Sequence, residues 1–146
     1  VDLSIAYRNL GRYEEAIASL KEALARNPDW IVTYCCQAIN CRMAWSTKQS
    51  KDPLILDRAL EMAKKAVAID DSYFDGHSEL SIIYLYKQQY EKALAEAEKL
   101  IALAPENADS HALLAVIFIS VGKSGQGIED VIQGNIQSFT PKFQGF

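Results

Sequence analysis

A recurrence at 34 residues limits what this chain can fold into more than any other feature. His77 recurs as His111, Leu80 as Leu114, Leu94 as Ile128 and Ala93 as the small Gly127, while Tyr84 is answered by the aromatic Phe118. A fixed period of roughly 20–50 residues signals one supersecondary unit used several times in a stacked array. Within the period two apolar patterns follow each other, Leu80, Ile83, Tyr84 and Lys87, then Tyr90, Ala93, Leu94 and Ala97. Both have helical spacing, and a short polar turn separates them. Proline lacks an amide donor and clashes with the preceding helical turn, so Pro28 and Pro105 mark helix ends. Asn27-Pro28-Asp29 and Pro105-Glu106-Asn107 therefore read as turns between units.

A helix pair cannot bury its apolar face alone, so the core must form by stacking. With 146 residues, 49% of them hydrophobic, one continuous core is within reach without disulfides. Ala16, Ala59 and Ala93 are small where the two helices of a unit should cross closely, and Leu20, Leu24, Leu94 and Leu100 are expected to face the neighbouring unit.

These residues resemble the tetratricopeptide repeat family, whose 34-residue unit is patterned W-x2-L-G-x2-Y, then A-x3-F, then A and P. Gly11-Arg12-Tyr13-Glu14-Glu15-Ala16-Ile17, Ala23-Leu24 and Asn27-Pro28 look like the second half of such a unit. Residues 74–107 supply Leu80, Tyr84, Tyr90, Ala93 and Pro105 in matching positions, with Ser81 in place of the glycine. The resemblance implies an all-α fold, a right-handed solenoid of about four helix-turn-helix units and eight helices. The units run over 1–30, lacking its first few residues, 31–73, 74–107 and 108–139, followed by a tail over 140–146.

Two units depart from the pattern. The second has 43 residues, its nine extra falling around Thr47 to Leu56, which predicts a longer first helix followed by a protruding loop. Asp52-Pro53 there has the character of an N-cap followed by proline in the first helical turn. The fourth contains Gly122, Gly125, Gly127 and Gly134, each lowering helix propensity by up to about 1 kcal/mol within a helix. Its last helix, about 125–138, should be the least stable.

Nothing in the sequence assembles a catalytic centre, and no cofactor or metal is expected. The two histidines occupy the position of the family tryptophan and read as packing residues; two imidazoles without a third ligand make a poor metal site. Gly122-Lys123-Ser124 resembles the end of a phosphate-binding loop, but Ile117 stands where the motif needs glycine. Gly122, Gly125 and Gly127 fail the dinucleotide spacing and read as a turn between helices. Cys35, Cys36 and Cys41, an odd number close together, fit core positions and a reducing, cytoplasmic setting. The chain starts inside a periodic segment without a methionine, as an excised fragment would.

Binding is the expected role. The 15 basic and 19 acidic residues are mixed along the chain and give a net charge of -4, which argues against nucleic acid and against an anionic membrane surface. In a solenoid the first helices line a concave groove. By the resemblance the groove takes Arg8 and Asn9, then Ile39, Arg42 and Met43, then Asp75, Glu79, Ile82, Leu85 and Tyr86, and finally Asp109 and Val116. Met43 and Tyr86 are the strongest contact candidates; Ile39, Ile82 and Val116 have packing between first helices as an equal alternative. Such a lining, an apolar floor with acidic edges at Asp75, Glu79 and Asp109, suits a basic or apolar protein or peptide segment. The family's best-known groove instead clamps an acidic chaperone C-terminus with lysines and asparagines, and those cations are mostly missing here. An alternative role is oligomerisation or regulation within a larger signalling protein. Phe139, Phe143 and Phe146 in the tail, beside an apolar last helix, offer a route to homo-oligomers.

Overall fold

The computed structural model describes residues 1–123, and over them the chain is helical. Seven α-helices follow in order: α1 (Asp2–Asn9), α2 (Tyr13–Arg26), α3 (Ile31–Ser46), α4 (Ile55–Ile69), α5 (Phe74–Tyr86), α6 (Tyr90–Leu103) and α7 (Ala108–Lys123). Each packs on the next, and α1, α3, α5 and α7 also adjoin one another in succession. This is the α-solenoid that the 34-residue period demands, with first helices forming one layer. The eighth helix expected over 125–138, and the tail with Phe139, Phe143 and Phe146, lie outside the described residues.

The helix crossings follow side-chain size. Ala16, Ala59 and Ala93 are fully buried, and so are Ala38 and Ser81 on α3 and α5. Ser81, in the place of the family glycine, donates its hydroxyl to the Ala93 carbonyl at 2.9 Å, so a polar atom sits at the crossing with its bond made. Between units the limiting position is Gly76. A Cβ there would lie 2.8 Å from Cγ1 of Val67, a stiff β-branched side chain, so α4 and α5 approach as closely as they do only around glycine.

One device ends the first three first-helices. Gly11, Lys48 and Gln88 all adopt positive φ, at 71°, 56° and 59°. The next amide then reaches back five residues: Arg12 to Tyr7, Gln49 to Ala44 and Gln89 to Tyr84, at 2.8, 3.0 and 2.9 Å. This double closure satisfies carbonyls that a helix end leaves open. Only Gly11 is free of the Cβ penalty that left-handed backbone imposes, about 1–2 kcal/mol. Gln88→Gly should therefore raise stability by about 0.5–1 kcal/mol, the relief of strain exceeding the entropy that glycine returns to the unfolded chain. Thermal unfolding of the single variant checks this, and a loss of stability would contradict it.

The enlarged second unit distributes its extra residues. α3 has 16 residues against 13 in α5, and the connection over 47–54 replaces the short one over 87–89. Asp52 does not sit directly before the helix as the sequence suggested. Its carboxylate accepts from the Leu54 amide at 2.9 Å while Pro53 and Leu54 form a turn, and α4 begins only at Ile55. The carboxylate also pairs with Arg58 at 3.2 Å, which ties the loop to the first turn of α4. A second correction concerns Gly122: it lies within the last turn of α7 and not in a turn between helices, the apolar run before it carrying the helix through to Lys123.

The histidines serve the turns between units. His77 is buried, with Nε2 2.7 Å from the Asp71 carbonyl oxygen and Nδ1 2.6 Å from Glu96 Oε2 on α6. His111, one unit later, is exposed and meets the Pro105 carbonyl at 2.8 Å. In both units the ring reaches the carbonyl six residues earlier and closes the turn onto the helix it starts.

Candidate functional site

The layer of α1, α3, α5 and α7 presents the candidate groove, and its centre is an ion pair. Arg42 on α3 meets Glu79 on α5 through two parallel bonds, Nε to Oε2 at 2.7 Å and Nη2 to Oε1 at 3.0 Å. The side chains are 13% and 8% exposed. Burial works against the Arg42 charge, yet the bonds to Glu79, its charge and the neighbouring Tyr86 outweigh it and hold the guanidinium pKa above its ordinary value. Planar two-point pairing of this kind fixes orientation as well as charge. Glu79 therefore adds no free negative potential to the groove, and Arg42 is no free clamp for an acidic ligand.

The other candidates divide by depth. Met43 and Leu85 are half-buried and pack against the core, and Ile39 and Ile82 are likewise half-buried. Arg8 is half-buried beside the Cys36 thiol, and Asn9 is exposed. Asp75 and Asp109 are exposed in the first turns of α5 and α7. Val116 and, one turn further along α7, Ile119 are 48% and 56% exposed. Tyr86, 36% exposed, closes α5.

Tyr86 has a partner that sequence reasoning missed. Trp45, 40% exposed, stacks on it with ring centroids 5.2 Å apart and planes 30° from parallel. Trp45 belongs to the part of α3 gained by the enlarged second unit. The available signal was its alignment: it stands where the first unit has its helix-ending Gly11 and the third has Gln88, so a tryptophan there belongs to an extended helix.

Burial holds the three thiols in their protonated form. Burial first, then the charges of Glu79 and Asp75, push Cys35 far above the ordinary thiol range. Burial likewise raises Cys36 and takes Cys41 to about 11. Among the described residues no three His, Cys, Asp or Glu side chains converge to hold a metal ion, and no helix is long and apolar enough to cross a membrane.

α3 also carries a buried polar stripe. Thr33 Oγ1, Gln37 Oε1 and both amide atoms of Asn40 have no hydrogen-bond partner among the described residues. At about 100° per residue these positions fall on the arc between Cys36, beside Arg8 of α1, and Cys41, whose charged neighbours are Arg58 of α4, then Lys21 of α2, Asp52 and Glu14. The stripe thus runs along the side of α3 toward α1, α2 and α4.

Residues 1–30 and 74–107 match the family model for the tetratricopeptide repeat. Among solved structures the chain is similar to the first such domain of Spaghetti (RPAP3) bound to the HSP90 peptide SRMEEVD, at 21% identity and a TM-score of 0.71, over 83% of this chain and 91% of that one. It is similar to the Sgt2 domain from Aspergillus fumigatus at 18% identity and a TM-score of 0.73, over 86% and 79% of the two chains. It also resembles a thermophilic repeat protein of the same kind from Thermus thermophilus, at 19% identity and a TM-score of 0.74, over 97% and 73%. No curated protein matches the chain. Identities of this size establish the fold and leave the ligand open.

Proposed function

Because this chain belongs to the tetratricopeptide repeat family, we propose that it is a protein-binding module that receives a segment of its partner across the layer of first helices. The observation that carries this reading is the apolar surface left open there. Val116 and Ile119 lie one turn apart on α7, about half exposed, with Tyr86 on the adjoining α5. Apolar side chains exposed along one face at helical spacing are a recognisable docking surface.

The partner is a basic or apolar segment. Asp75 and Asp109 stand exposed at one edge, while Glu79 is neutralised by Arg42 and contributes nothing to the choice. The structure of Spaghetti holds an acidic peptide, SRMEEVD. Here that chemistry has little to hold it, since Arg42 is committed to Glu79 and only Arg8 remains among the groove cations.

The test is Val116→Arg, which places a charge on the apolar surface at an exposed position and should leave the fold intact. Partner capture from cells should fall at least about tenfold with the variant, and unchanged capture would remove the groove reading. In a separate titration, SRMEEVD should show no binding below about 1 mM. Micromolar affinity would mean that Arg42 leaves Glu79 for a ligand and that the charge argument fails.

A further inference from the structure

We infer that the stacked pair Trp45–Tyr86 is the specificity-determining anchor of this groove, receiving a bulky uncharged side chain of a partner segment whose cationic residues lie at the opposite, acidic edge. This rests on the groove reading and adds to it a second contact point and a spacing between the two.

The two edges of the layer differ in chemistry. Where α5 and α7 begin, the exposed carboxylates of Asp71, Asp75, Glu106 and Asp109 collect on the turns between units and the first helical turns. Where α3 and α5 end, no carboxylate stands among the exposed residues of 45–49 and 86–89, and two aromatic rings do. Of the charges near those rings, Arg42 is paired with Glu79 and Lys87, next after Tyr86, with Asp57, while Lys48, exposed three residues after Trp45, is a further cation. A cation arriving at the rings would meet a satisfied guanidinium, whereas an apolar side chain would cover ring surface that now faces water. Aromatic pairs of this kind bring much contact area at little entropic cost, because packing already fixes them.

The helix supplies the ruler. Asp75 and Tyr86 are eleven residues apart on α5, about 16 Å along its axis at 1.5 Å per residue. An extended segment covers that distance in about five residues at roughly 3.3 Å each. The groove should therefore prefer a cation followed about five residues later by a bulky apolar side chain over the same residues placed side by side.

Two peptides of identical composition test this, acetyl-Arg-Arg-Ser-Gly-Ser-Gly-Phe-amide and acetyl-Arg-Arg-Phe-Ser-Gly-Ser-Gly-amide. The protein carries Trp30→Phe, so that Trp45, one of two tryptophans, is the only one reporting by fluorescence. The spaced peptide is expected to bind at least about fivefold more tightly and to change Trp45 emission. Trp45→Ala should weaken it about tenfold and erase the preference, whereas Trp45→Phe, which keeps a stacked ring and a folded control, should retain it, as read by displacement of a dye-labelled copy. Equal binding of the two peptides, Trp45→Ala within twofold of the parent, or no binding of either peptide at millimolar concentration each overturns the anchor. Val116→Arg separates the readings: if it weakens both peptides while Trp45→Ala does not, the groove stands and the anchor falls; if it changes neither, the groove reading falls as well.

Discussion

Arg42→Ala should lower the stability of the fold by about 3–5 kcal/mol, because it leaves the Glu79 carboxylate 8% exposed and without its partner. The loss is a penalty for stranding a charge and not a measure of what the pair contributes. The double variant Arg42→Leu with Glu79→Leu should therefore recover most of it. Urea unfolding of the two single variants and the double variant forms the required cycle. If the double variant is less stable than either single one, the pair is a strong net stabiliser and the argument from stranding is wrong.

His77→Ala carries the other large expected effect, a loss of about 2–4 kcal/mol. The ring is buried, fills volume between the turn and α6, and serves both the Glu96 carboxylate and the Asp71 carbonyl. His111→Ala removes one bond from an exposed ring at the equivalent place and should cost less than about 1 kcal/mol. The comparison holds repeat position constant and varies burial and partners. Equal losses in thermal unfolding would mean that the shared turn contact, and not the buried network around His77, sets the effect.

The repeating part of this molecule was legible in the sequence because repetition multiplies the signal. A period of 34 identified the unit, and small residues such as Ala59 and Ala93 marked the crossings. A packing role for His77 was legible too, but not the carbonyl and carboxylate it meets; His111, read the same way, is exposed and only closes its turn. What repetition could not convey are the features that occur once. Arg42 and Glu79 are 37 residues apart on different helices, and the pattern placed both along the groove without saying that they meet. Their pairing removes two charges from a surface that, read residue by residue, owned them. Trp45 escaped notice because it lies in residues that break the period. Met43 was expected to be a groove contact, yet it is half-buried and packs against the core; which way a long flexible side chain turns depends on neighbours in space and not on register.

The unpartnered Thr33, Gln37 and Asn40 groups have a consequence for how the array comes apart. A buried amide without a partner costs about 1–3 kcal/mol, and water entering between α3 and the first unit would repay it. At the seam between the first and second helix pairs that cost offsets part of the packing gain, and in a quasi-one-dimensional array such a nearest-neighbour loss is felt locally. Amide hydrogens of α1 and α2 would then exchange as one group. A ligand lying across α1 and α3 would close that seam as it binds, drawing part of its affinity from the cohesion it restores.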